Sequence, residues 1–391
     1  MMKKKPFCIL CSFLLILTAN NAFATNGMRL IGFGPVQRAM GGVGVGTTLD
    51  GAAILTNPAG MIDLGGRADF GTTFLAAAVT LKTGGGDIDS DKGPSPVPAL
   101  GLIIPTAIKD LSFGIGAYGV SGVGVDFNLS STNNIMYSSY SLMRFTPGLA
   151  YKIMDILSIG VTANAMYATT EFSMDMGLGQ MVDMGSSAFG GGFTIGVTVK
   201  PIKILTIGVA YESPSWFQKF KFNQYVDGGT VSENDMEFNQ PMNATIGISS
   251  EPITGLIIAF DFQWINWSGT MGNNLPELAS GNMDMDWGDQ LVYKLGVQYT
   301  PIQLISIRAG FNYGKSPLPS SGIDPAQPGV NAVFPAITEY HITAGAGLNL
   351  SENLSINIAA MFAPEAKITV GGLGDVTMVQ YSLDAGVSYK F

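Results

Sequence analysis

The chain offers few residues that could do covalent chemistry. His341 is its one histidine and so its one candidate general base. No Gly-x-Ser-x-Gly elbow accompanies it, and nothing in the spacing ties it to a serine or an aspartate. A single histidine also makes a poor zinc site. Cys8 and Cys11 both fall in the first 24 residues. The glycine-rich run GGVGVGTT, Gly41 to Thr48, has the look of a phosphate-cradling loop. It lacks the lysine of such loops and no strand leads into it, so it reads as backbone packed closely against a neighbour. An enzyme is therefore not expected, nor is a metal or another cofactor.

Binding chemistry is better represented. Arg144, Lys294 and Arg308 sit in stretches that alternate apolar and polar residues, on the polar side of each. Glu212, Asp261, Asp384 and Lys390 have the same parity. Such groups either pair with one another or meet an anionic ligand head. Two further stretches carry soft or aromatic side chains suited to apolar ligands. They are MDMGLGQMVDMG, with Met176 and Met181, and ESPSWFQKF, with Trp216 and Phe217. A girdle at a lipid interface is the alternative for both.

The elements that must position these groups are strands. In VQYSLDAGVSYKF, Val379 to Phe391, every second residue is apolar and those between are polar or small. Successive strand side chains point to opposite faces. The pattern recurs in fourteen stretches, beginning near residues 67, 97, 111, 135, 156, 187, 204, 238, 254, 288, 303, 337, 353 and 377. Tight turns such as IMDI, PIKI and TPIQ alternate strictly with long polar, Gly/Pro-rich loops. Charged residues make up 13% of the chain, about half the usual share in soluble domains. The combination defines an all-β protein, a 14-stranded antiparallel transmembrane β-barrel. Its apolar strand faces meet lipid and its long loops lie outside the cell.

Two segments precede the barrel. Residues 1–24 have Lys3 to Lys5, an apolar run and Ala22-Phe23-Ala24, the features of a signal peptide for export to the outer membrane. Its removal leaves 17 basic and 29 acidic residues, a net charge of −12, which would repel nucleic acid. Residues 25–66 lack alternation and are too apolar to be a disordered tail. They are expected to fold inside the barrel as a plug, with Asp50 capping a short helix that Asn57-Pro58 ends. The barrel proper takes residues 67–391.

Several motifs now add to this reading. TNGM after the signal, AMGGVGV, and Asn57-Pro58-Ala59-Gly60 resemble the FadL/TodX family of outer-membrane transporters of long-chain fatty acids and aromatic hydrocarbons. PSWFQKFKF, INWSG, KSPLP and the closing Phe391 extend the resemblance over the chain. The resemblance implies passive, ligand-gated uptake of long-chain fatty acids or aromatic and aliphatic hydrocarbons, with no cofactor and no covalent step. It implies an N-terminal hatch carrying Asn57, Pro58 and Ala59 with Phe33 beside it, capture by outer loops, and lateral exit through a break in the third strand. Gly119, Gly122 and Gly124 would supply that break. The partners implied are the hydrophobic ligand, outer-membrane lipid and lipopolysaccharide, with the protein a monomer. Fatty acid transporters hold the carboxylate with bases at the outer ends of strands five and ten, where this chain has MYATTEFSMDMG and MDMDWGD. That departure favours neutral ligands. An adhesin or a general porin is the alternative.

Overall fold

The computed structural model describes residues 26–391 except 130–133, 176–179, 227–228, 272–276, 279–280, 283–284, 320–328 and 372–373. The signal-peptide reading of residues 1–24 and Met176 therefore lie outside the described residues.

Fourteen long strands form the wall. They are β1 (Arg67–Thr83), β2 (Ser95–Pro105), β3 (Leu111–Val123), β4 (Asn134–Met154), β5 (Leu157–Asp175), β6 (Gln180–Ile202) and β7 (Leu205–Glu212). Then come β8 (Asn243–Ile253), β9 (Leu256–Ile265), β10 (Gln290–Ile302), β11 (Ile305–Gly314), β12 (Tyr340–Asn349), β13 (Leu354–Val370) and β14 (Gly374–Lys390). Each pairs antiparallel with the next, and β14 closes on β1 from Arg67↔Lys390 to Lys82↔Asp375. Closure satisfies the ladder without leaving an edge in lipid.

The alternation read from the sequence holds. On β14, Tyr381, Leu383, Val387 and Tyr389 are exposed, while Gln380, Ser382, Asp384 and Ser388 are buried. Lys390 shares the buried parity but emerges into solvent at the strand's end. Described parts of the long outer loops form strands of their own. Residues Phe220–Val226 and Gly229–Met236 form a hairpin, and Asp126–Leu129 pairs with the start of β4.

The lumen face changes character along its length. Read from the inner end of β5, it runs Ser158, Thr162, Asn164, then Met166, Ala168 and Phe172, all buried. On β4 it runs inward from Met136, Tyr140 and Leu142 to Arg144 and Thr146. The outer half of the lumen is therefore apolar and the inner half polar.

Residues 26–64 sit in the polar half, against inward-facing residues of both sides of the wall. Their helices are α1 (Gly34–Ala39) and α2 (Ala53–Thr56), followed by a 3-10 turn Pro58–Asp63. Wall glycines give them room. A Cβ at Gly208 would collide with the Val45 carbonyl, and one at Gly196 with Asn57. Asp50 departs from its expected role: its carboxylate accepts the Ala52 N–H at 3.1 Å, before α2 begins, and α2 has no side-chain cap. Asn57 does end α2, and its side chain caps the following turn by accepting the Ala59 N–H at 3.2 Å.

Candidate functional site

The polar half is built from ion pairs between the N-terminal segment and the wall. The Arg29 guanidinium donates to both carboxylate oxygens of Glu212, at 3.0 and 2.8 Å. Arg144 reaches the same carboxylate from β4. Arg38 on α1 pairs with Asp384 at 2.8 Å, and Thr73 and Ser382 donate to that carboxylate as well. Asp261 accepts three consecutive backbone N–H groups, from Gly44, Val45 and Gly46, at 2.8 to 3.1 Å. Glycine at 46 lets the backbone approach the wall that closely, because a Cβ there would collide with Gly247 and Ile248. Every one of these charges is buried, so each needs its partner.

Asn57, Pro58 and Ala59 are buried against β6. The Asn57 amide donates to the carbonyls of Val45 and Val197 and to the Thr198 hydroxyl, at 2.9, 3.3 and 3.1 Å. The turn thus ties the Gly-rich loop to the wall. Next to it lies a second polar group. Arg67 grips Asp69 with two bonds of 2.6 Å, and Asp69 accepts the Gly51 N–H at 2.8 Å. Burial first, and then the Asp69 charge, push the Asp50 carboxyl up to about 7.

Of the sequence-derived candidates, Phe33 and Lys294 line one small cavity of about 40 Å³, together with Arg29, Glu212 and Asp261. Arg144 joins them through Glu212. Lys294 stands opposite Asp261 in the β9–β10 ladder. Arg308 is elsewhere, near the inner rim, bonded to Gln298 and Asn357 at 2.7 and 3.0 Å. His341 is fully buried, and neither ring nitrogen has a hydrogen-bond partner among the described residues.

Gly119, Gly122 and Gly124 lie where β3 loses its neighbour. The β2–β3 ladder stops at Ala99↔Tyr118, β3 bulges between Gly119 and Ser121, and it ends at Val123. The N-terminal segment takes over the freed edge. Leu30 N–H donates to the Val120 carbonyl at 3.2 Å and Gly122 N–H to the Met28 carbonyl at 3.0 Å. The Phe33 ring meets Tyr118 edge-on at 6.2 Å just below. Met181 falls on β6. Trp216 is exposed, whereas Phe217 lies over Gly190 and packs on the interior.

The outer half holds what the sequence reading missed. Trp267 and Trp287 pack edge-on at 5.0 Å, and Phe334 lies 6.0 Å from Phe172 and 6.1 Å from Phe238. These rings come from the β7–β8, β9–β10 and β11–β12 loops, folded into the barrel mouth. With Tyr140, Phe172 and Met378 they form one packed apolar cluster, which Met28, Ala52 and Leu55 of the N-terminal segment join. The INWSG stretch is held there by Asp289, which accepts from Trp264, Asn266 and Ser268 at 2.7 to 3.1 Å. A signal was present: the lumen-facing positions of β1 turn from Arg67 and Thr73 to Leu75, Val79 and Leu81. Arg29 and Arg38 were also legible, as the two bases of an otherwise apolar segment.

The fold is thus a closed outer-membrane barrel with a filled polar base and an apolar outer half. Residues 16–389 match the family described as outer membrane protein transport protein (OMPP1/FadL/TodX), and the chain belongs to it. Its fold is similar to the Pseudomonas putida toluene transporter TodX, at TM-score 0.76 and 18% identity over 92% of this chain and 99% of that one. A Pseudomonas aeruginosa FadL homologue matches at TM-score 0.76 and 17% identity, over 93% and 100%. The Ralstonia pickettii toluene transporter TbuX matches at 0.72 and 19%, over 92% and 99%. An uncharacterized protein of Chlorobium limicola, from the 5′ region of a phosphoenolpyruvate carboxykinase gene, is 41% identical over 58 residues. That match spans 15% of this chain and 29% of the relative.

Proposed function

We propose that the protein takes up small hydrophobic molecules, aromatic or aliphatic hydrocarbons or long-chain fatty acids, by passive diffusion across the outer membrane. The observation that carries this reading is the aromatic and aliphatic cluster in the outer lumen, directly over the polar N-terminal segment, whose side chains would part to form a ligand chamber. A molecule entering the chamber gains about 25 cal/mol per Å² of apolar surface buried. Continuing down the axis would then require it to cross buried ion pairs. The edge of β3 freed beside Phe33 offers a shorter way, sideways into the bilayer. In this reading residues 25–66 are a hatch, ligand arrival in the chamber loosens the Met28–Leu30 pairing, and the outer loops with Trp216, Phe217, Met176 and Met181 make the first capture. The protein acts as a monomer among lipopolysaccharide and lipid, without a cofactor, after export by its signal peptide. Two solved structures of similar fold are described as toluene transporters, which supports an aromatic ligand.

The test is uptake of radiolabelled naphthalene by cells that make the protein and by cells that lack it. Uptake several-fold above the control is expected. Equal rates would refute the proposal.

A further inference from the structure

The small cavity beside Phe33 carries more positive charge than its surroundings cancel. Arg29 and Lys294 line it, Arg144 joins through Glu212, and all three are buried. Against these three cations stand two buried carboxylates, Glu212 and Asp261, so among the described residues one positive charge is left over. Both carboxylates are already engaged. Glu212 is shared by the two guanidinium groups, and Asp261 accepts the backbone N–H groups of Gly44, Val45 and Gly46. Lys294 is left out. It is 8% exposed, and among the described residues it makes neither a salt bridge nor a hydrogen bond. A buried ammonium in that state is costly unless something in the cavity meets it.

Two amides on the same cavity point to what that would be. The Asn243 oxygen accepts from Gln263 at 2.9 Å, which leaves the Asn243 NH2 buried and unpartnered among the described residues. Asn26 is buried with an unpartnered amide oxygen, and a flip of that amide would present a second NH2. Ammonium and amide N–H groups donate and do not accept. The space of about 40 Å³ has room for about three waters or one halide-sized ion. Water would satisfy the donors without cancelling the charge. An anion does both.

We propose that this cavity is a binding site for a small monovalent anion, chloride or one of like size. Lys294 and Asn243 hold the ion from the wall and Arg29 from the N-terminal segment, so it is a further tie between the two. The proposal concerns the polar base alone and does not depend on the uptake reading.

Bromide replaces chloride and is visible by anomalous X-ray scattering. Crystals of the wild-type protein transferred to sodium bromide should show an anomalous peak in the cavity, and crystals of Lys294→Met should lack it. No peak in wild type refutes the site, and this arm needs no variant to fold. A second measurement guards against an ion forced in by crystal concentrations of bromide. Purified protein is melted in sodium chloride and in sodium gluconate at equal ionic strength, followed by heat-modifiable gel mobility. The two salts screen alike, but gluconate is too large for the cavity. Chloride should raise the midpoint saturably by a few degrees, because it binds the folded state, and Lys294→Met should lose that rise. Equal midpoints in the two salts refute the proposal. A chloride effect that survives in Lys294→Met also refutes it, because the ion then binds elsewhere. Either refutation leaves the uptake reading untouched.

Discussion

The base of the lumen is held by single residues whose partners are all buried, and two of them make sharp tests. Among the described residues Glu212 is the only anion bonded to Arg29 and Arg144. Glu212→Ala leaves two buried guanidinium groups uncompensated and should destabilise the fold by about 3–5 kcal/mol. Replacing all three residues with apolar ones of similar volume should recover much of that loss, because no charge is then stranded. Thermal melts followed by heat-modifiable mobility would compare the two. Asp50 tests pH. Its carboxyl is raised from 3.8 to about 7 by burial and by Asp69, so the folded state holds a proton that the unfolded chain releases. The stability this contributes is fully present below about pH 4 and is lost as pH rises through about 7. Wild type should be more stable at pH 5 than at pH 8, by at most about 3 kcal/mol, because only pH 5 to 7 of that window is crossed. Asp50→Asn should show a smaller difference between the two. An equal pH dependence in the variant would assign it to other groups.

At the scale of elements, the decisive feature is where strands stop pairing. Val97 on β2 packs directly at the position a Cβ would take on Gly119 of β3. A Val97→Cys, Gly119→Cys pair is therefore close enough for a disulfide. Oxidation should cut naphthalene uptake several-fold with the barrel folded, and reduction should restore it. Uptake that ignores the cross-link would rule out exit beside β3. The strands themselves were legible because lipid on one side and a packed lumen on the other impose a strict period of two on every stretch. Their starts agree with the sequence reading to within a few residues for most strands, with β6 beginning at Gln180 instead of near 187. The partners of Arg29, Arg38 and Asp261 were not legible. Each pair joins residues more than 180 positions apart, and alternation gives a side chain's face without its height or its neighbour. For the same reason Arg144, Lys294 and Arg308 looked equivalent in sequence, although only the first two approach the cavity beside Phe33.

For the molecule as a whole, the lumen's polarity gradient decides which ligands it can hold. The outer lumen is packed with Trp267, Trp287, Phe172, Phe238 and Phe334, and a carboxylate buried among them unpaired would cost several kcal/mol. Of the three bases considered from the sequence, Arg144 is bonded to Glu212 and Arg308 is held at the inner rim. Lys294 remains, on the small cavity beside Phe33 and facing Asp261 across the ladder. A neutral aromatic would need none of them, and its affinity would come from buried area alone. Binding of naphthalene to purified protein should therefore change little between 50 and 500 mM salt, values chosen to span strong and weak screening, on the order of 14 and 4 Å in Debye length. It should also stay within about three-fold in Lys294→Met, a change worth roughly 0.7 kcal/mol. Oleate is the comparison. If oleate binds tightly to wild type and loses tenfold or more in Lys294→Met, about 1.4 kcal/mol, then Lys294 holds a carboxylate and the protein's ligands are fatty acids.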